Sequence, residues 1–170
     1  MSVLSKPDIK RLLEQKPPLI EGYTDLQQQL QPNGFDITLR DIAVFNNFGQ
    51  LAVNNNARRL PEVSDIPFPV DGFITVKTGC YLITYNEIVN LPSNIMAFGR
   101  PRSSLLRCGV SIGTAVWDAG YSGRSQSIMI VHNEHGFRVQ KNTRVLQLVF
   151  QTLTSETEGY NGTYQKENIK

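Results

Sequence analysis

Beyond residue 20 the chain has no long amphipathic helix, and this limits what it can fold into more than any other feature. In its place come short runs rich in β-branched and aromatic residues: "FDITL", "IAVFNN", "GFITVKTGCYLITYNEIV", "IMAFGR", "GVSIG", "QSIMIVHN", "FRVQ" and "RVLQLVFQTL". Proline or glycine interrupts them about every ten residues, the rhythm of strands joined by turns. Side chains branched at Cβ fit a pleated surface better than a helix. The pattern predicts an all-β fold, a jelly roll or sandwich. One short helix is expected first, in "SKPDIKRLLEQ": Ser5 caps it, Asp8 sits three residues on, and Ile9, Leu12 and Leu13 share a face. Pro32-Asn33-Gly34 reads as a turn, and the proline-rich "LPEVSDIPFPVDG" reads as a long connection. Residues 1–153 form one domain in this reading, and 154–170 a polar tail, mobile when the protein is alone.

Seventeen basic residues against 15 acidic leave a formal charge of +2, so bulk electrostatics does not suggest nucleic-acid binding. Any anion site must be local. No apolar run reaches membrane-spanning length. "MSVLSKPDIKRLL" contains no uninterrupted apolar core, which predicts a cytoplasmic protein. Cys80 and Cys108 are read as free thiols, and the absence of a C-x-x-C pair excludes zinc-dependent deaminase chemistry. His132 and His135 are read as surface or interface residues, because no third metal ligand accompanies them. Arg58 and Arg59 in "NNNARRLPE" read as a solvated loop.

Three stretches carry candidate chemistry. In "NGFDITL", Asp36 follows a turn; in "GRPRSSLLRCG", Arg102, Ser103, Ser104 and Arg107 crowd between two strand-like flanks; in "TAVWDAGYSG", Asp118 and Tyr121 lie near Gly120 and Gly123. Each has an ordinary reading as a cap, a hairpin loop or a β-turn. Together they suit a polyphosphate ligand. Arginines, hydroxyls and turn N–H groups cradle phosphate. A carboxylate can polarise a water for attack on phosphorus, and a second can lie near a phosphate-borne magnesium.

The motifs "GFDITL", "PRSSLLRCG", "WDAGYSG" and "NTRVLQLVF", in that order, resemble those of the trimeric dUTPase and dCTP deaminase superfamily. The resemblance runs from the N-terminal helix to "YNGTYQ". It implies a distorted jelly roll, a homotrimer, and active sites assembled where subunits meet. Arg102, Ser103, Ser104 and Arg107 would then face the triphosphate. Asp118 would activate the attacking water, and Tyr121 would pack on deoxyribose. Backbone around Thr114 and Ala115 would read the pyrimidine. Gln147 belongs to the fourth motif with Arg144, and Asn142 takes the place of the usual glycine there. Asp36 would approach Mg²⁺ through a water. Tyr160, Tyr164 and Gln165 would belong to a lid of the deaminase-branch type.

The superfamily performs two reactions. Deaminases need a glutamate three positions before an asparagine on the strand after the third motif; counting back from Asn133 gives Ile130, flanked by Met129 and Val131. Gly123 to Asn133 is about two residues longer than the deaminase pattern, and a shifted register would bring up Gln126 or Ser127, neither a useful proton shuttle. The reading is therefore a dUTP diphosphatase cutting dUTP to dUMP and pyrophosphate with Mg²⁺, on a deaminase-branch scaffold. A dCTP deaminase, alone or bifunctional, and a nucleotide-binding protein without turnover are the alternatives.

Overall fold

The computed structural model describes residues 2–169. Helix α1 (Lys6–Leu13) begins where expected. The Asp8 carboxylate accepts both the Ser5 N–H and the Ser5 hydroxyl, and Ile9 is buried beneath the helix. Then come β1 (Ile20–Glu21), α2 (Leu26–Gln29), β2 (Leu30–Gln31) and the long β3 (Gly34–Phe45). β4 (Val63–Asp65), β5 (Phe73–Val76), β6 (Gly79–Tyr85) and β7 (Ile88–Asn90) follow. β8 (Ile95–Pro101), α3 (Ser103–Arg107) and β9 (Val110–Gly113) frame the basic serine run. β10 (Ser122–Gly123), β11 (Gln126–Val131), β12 (Phe137–Gln140) and β13 (Arg144–Thr152) complete the domain.

Eight strands join in one curled sheet along the path β8-β13-β3-β6-β11-β9, with β2 and β4 both pairing to β3. A second sheet runs β1-β7-β10, and β5 pairs with β12. β3 explains the curl. Its first half pairs with β13, its second half with β6, and the register slips between Leu39 and Asp41. An extra residue there bends the strand and turns it toward new neighbours. The core fills the space inside the bend: Phe35, Ile37, Leu39, Ile42, Ile83, Tyr85, Met129, Leu146, Leu148 and Phe150 are completely buried. This is the all-β fold with a short N-terminal helix that the strand pattern predicts, and the distorted jelly roll that the family resemblance implies.

Two local readings change. The proline-rich connection contains β4, which pairs with the end of β3 through Ala43, Val44 and Phe45. The basic serine run is a short helix, anchored by buried Leu105, rather than an open loop. Its two flanks, β8 and β9, are strands. Asn142 does adopt the left-handed conformation, with φ 65°. Its short polar side chain tolerates what a β-branched residue would not.

Candidate active site

The candidate residues gather in two places. The first is basic. Asp36 on β3 lies opposite Gln147 on β13. Its carboxylate is nearly inaccessible, forms an ion pair with Arg102 Nε at 3.1 Å and accepts Arg144 Nη1 at 3.4 Å. Burial pushes the Asp36 carboxyl up, and the Arg102 and Arg144 guanidiniums oppose that rise. Arg144 also donates to the Gln28 carbonyl. Asp36 therefore anchors two arginines rather than standing open to a metal. On the outer side of α3, Ser103, Ser104 and Arg107 are exposed, and Arg107 Nη1 donates back to the Ser103 carbonyl at 3.1 Å.

Beneath this cluster lies Glu87, a buried carboxylate that the sequence pattern does not mark. It accepts the Thr38 N–H at 2.8 Å, the Thr38 hydroxyl at 2.7 Å and Gln29 Nε2 at 2.6 Å. Gln29 Nε2 also donates to the Asp36 carbonyl at 2.9 Å. Every partner is a donor, so an amide in place of Glu87 sets donor against donor. Glu87→Gln is expected to lower stability by about 1–3 kcal/mol, measured by urea unfolding. Desolvation raises the Glu87 pKa, against the pull of Thr38 and Gln29. A raised carboxyl pKa contributes stability on the acid side that is lost as pH rises through the folded value. The wild-type advantage over Glu87→Gln should therefore grow as pH is lowered from neutral.

The second place is a cavity of about 640 Å³. Such a volume suits a small-molecule ligand. Leu82 of β6 and Ile128 of β11, cross-strand partners, line its floor. Gly113, Ala115, Val116 and Trp117 form one wall, and Asp118 is exposed at the rim. Trp117 fixes that wall. It exchanges two backbone bonds with Ala97, and its indole N–H donates to Ser125 Oγ at 2.9 Å. The Tyr121 N–H then returns to the Asp118 carbonyl at 3.1 Å, closing a β-turn with Gly120 at φ 81°. Such a φ at the third turn position favours glycine. The turn reading of "WDAGY" is thus satisfied, and the turn leaves Asp118 at the cavity rim. Thr114 lies outside the cavity lining, beside Gly99.

Glutamate is absent from the β11 face that meets the cavity. Gln126, Ser127 and Ile128 reach it, while Ile130 sits farther along the strand opposite Ser111 and Cys80. Among the described residues the carboxylates lining the cavity are Asp118 and Glu167.

Glu167 arrives from the tail, which is docked on the third motif. The Tyr160 N–H donates to the Ala119 carbonyl at 2.7 Å, and the Lys166 N–H to the Ser122 carbonyl at 2.6 Å. Gln165 spends its whole amide on this docking: Nε2 donates to the Gly120 and Tyr160 carbonyls at 2.9 and 3.0 Å, and Oε1 accepts the Ser122 N–H at 2.8 Å. Tyr160 and Tyr164 line the cavity, and Gln165 does not. Arg58, expected in a solvated loop, donates to Thr163 Oγ1 at 3.1 Å and lies 5.9 Å from the Tyr164 ring centroid. Gly120 makes the approach possible, since a Cβ there would lie 2.7 Å from Gly159 Cα and 2.8 Å from the Tyr160 nitrogen. Gly120→Ala is expected to displace the tail while leaving the jelly roll folded. Limited proteolysis checks this, with cleavage beyond residue 153 appearing earlier than in wild type.

The remaining candidates stay apart from both places. His132 Nε2 is 2.9 Å from Ser111 Oγ, and His135 is exposed beside Glu134. Cys80 and Cys108 are free, exposed thiols. Among the described residues no group of three or more His, Cys, Asp or Glu could hold a metal, and no helix is long and apolar enough to cross a membrane.

Arg102, Ser103, Ser104, Arg107, Arg144 and Gln147 do not line the cavity that holds Asp118 and Tyr121. One chain thus carries two separated parts of the expected constellation.

The chain is similar to known proteins in both sequence and fold. Residues 3–153 match the family described as dCTP deaminase-like. The chain is 45% identical over 169 residues to a protein of Methanosarcina mazei named "Probable deoxyuridine 5'-triphosphate nucleotidohydrolase", covering 99% of each chain. It is 46% identical to a protein of Archaeoglobus fulgidus with the same name, again covering 99% of both. A dCTP deaminase structure from Agrobacterium tumefaciens has the same fold, with a TM-score of 0.65 at 20% identity over 88% of this chain. This chain spans about half the length of that one, 47%. With residues 3–153 matched and the relatives aligned from end to end, the chain belongs to the dCTP deaminase-like family.

Proposed function

We propose that this protein is a dUTP diphosphatase that hydrolyses dUTP to dUMP and pyrophosphate. The observation that carries the reading is the pairing of Asp118, open at the cavity rim, with a β11 face that brings no acid to the cavity, where deamination needs one. Ile128 and Ile130 cannot move a proton to a base, whereas Asp118 can take one from water. The names of the relatives that align over the whole chain point to the same reaction.

In this reading the pyrimidine rests on the floor formed by Leu82 and Ile128, and the backbone at Gly113 and Ala115 meets its edge. The Tyr121 ring lies against deoxyribose. Asp118 orients a water and receives its proton as the water attacks the α-phosphorus. Tyr160 and Tyr164 close the mouth of the cavity, excluding bulk water. Arg102, Ser103, Ser104 and Arg107 hold the triphosphate, with Arg102 kept in place by Asp36 and Arg144 beside it. Because that cluster lies outside the cavity, it serves the cavity of a neighbouring subunit in a homotrimer. Ser103, Ser104 and Arg107, all exposed on α3, are available for that role.

Mg²⁺ fits as an ion that travels with the triphosphate. The protein offers no multi-carboxylate cage among the described residues, and Asp36 is committed to arginines. Magnesium commonly keeps several waters and binds substrate phosphates. When bound it offsets phosphate charge; this chain's residues orient the water and the nucleotide. Asp118, exposed at the cavity rim, would face the ion from the cavity side, in place of the Asp36 contact expected from the motif.

Incubation with Mg²⁺ and either dUTP or dCTP, followed by chromatography, tests the assignment. The expected products are dUMP and pyrophosphate from dUTP, with dCTP unchanged. A deoxyuridine nucleotide formed from dCTP would instead establish deamination. Nucleotide-induced stabilisation without any product would establish binding alone.

A further inference from the structure

Glu167 lies far from every motif, yet the fold delivers it to the residue expected to read the sugar. The Tyr121 hydroxyl donates to Glu167 Oε1 at 2.8 Å. Gly123 leaves space for the pair: a Cβ there would fall 2.6 Å from the Tyr121 hydroxyl oxygen and 3.3 Å from Glu167 Cγ. Backbone bonds set the position of Glu167 independently of its side chain. The Arg124 N–H donates to the Glu167 carbonyl at 2.9 Å, and the Lys166 N–H to the Ser122 carbonyl at 2.6 Å. Arg124 and Asn168 add a reciprocal pair, at 2.7 and 3.0 Å. On its other side Tyr121 meets the Tyr160 ring edge-on, with centroids 5.9 Å apart. Tyr121 is therefore held at its hydroxyl and at its ring by the same tail segment.

We infer that Glu167 is a positioning residue for sugar selection: it grips the Tyr121 phenol so that the ring holds its orientation against deoxyribose only while the tail is docked. The inference rests on the proposed dUTP hydrolysis and deepens it. Burial raises the Tyr121 pKa, so the phenol stays a donor at working pH. A ring fixed at both ends has a defined clearance over the sugar. A ring released at its hydroxyl can tilt and admit an additional 2′-hydroxyl.

The test compares kcat/KM for dUTP and UTP in the wild type, Glu167→Ala, Glu167→Gln, Tyr121→Phe and the Glu167→Ala/Tyr121→Phe double variant of the full chain. Glu167→Ala is expected to lower the dUTP-to-UTP ratio roughly tenfold, the effect of one charge-assisted bond. Tyr121→Phe should lower it similarly, and the double variant no further, because both remove one interaction. Glu167→Gln retains an acceptor and should restore most of the ratio. Equal losses for dUTP and UTP in Glu167→Ala would overturn the inference, as would additive losses in the double variant. If wild type does not hydrolyse dUTP, the failure belongs to the proposed function instead.

Discussion

Asp118→Asn is expected to reduce kcat for dUTP by about 10³-fold, within the range a positioned general base contributes. The substitution keeps the shape of the side chain and removes its ability to take a proton from water. Asp118 is exposed at the rim, so the fold has no packing or ion pair to lose there. Dissociation constants for a non-hydrolysable α,β-imido analogue should consequently stay within about threefold of wild type, less than 1 kcal/mol. Rapid-quench kinetics and calorimetric titration measure the two quantities separately. Full activity in Asp118→Asn would show that another group activates the water. Lost binding together with lost activity would move Asp118 from chemistry to substrate capture.

The second large effect concerns the separation of the two clusters. Arg107→Ala, alone, should lower kcat/KM by roughly 10- to 100-fold, the worth of charge-assisted phosphate contacts. Arg107 and Asp118 are both exposed, so both variants should fold. If each site takes Asp118 from one subunit and Arg107 from its neighbour, mixing the two impaired chains raises activity above that of either alone. In a random equimolar mixture about a quarter of the sites would combine two intact halves in a closed ring. Activity of the unfolded and refolded mixture, read against each variant treated alone, measures this. No recovery would place both residues in one subunit's site.

Much of the architecture could be read in the sequence because strand alternation and turn residues are local signals. β11 and β13 fall where "QSIMIV" and "RVLQLVFQT" do, and α1 starts at its Ser5 cap. Asn142 occupies its left-handed turn for a reason already present in its side chain. What escaped is tertiary. Glu87 stands in "YNEIV", next to a turn, where a solvated carboxylate is the ordinary expectation; only the crossing of Thr38 and Gln29 buries it. Glu167 has no period and no neighbouring motif, and its place comes from backbone bonds to residues 122 and 124. Arg58 likewise becomes a tail contact through a long loop that no local pattern predicts. At the candidate site, Asp118 and Tyr121 were marked by their glycines, but residue types alone did not place Asp36 between two arginines. They also left unseen the distance between the α3 cluster and the cavity, because that distance depends on the path of the strands between them.

Hydrolysis of dUTP in water enriched in ¹⁸O tests the central claim most directly. Attack of an Asp118-activated water on the α-phosphorus places one labelled oxygen in dUMP and none in pyrophosphate, as mass spectrometry of the separated products would show. Label in pyrophosphate would mean that water attacks the β-phosphorus, which would contradict the role assigned to Asp118.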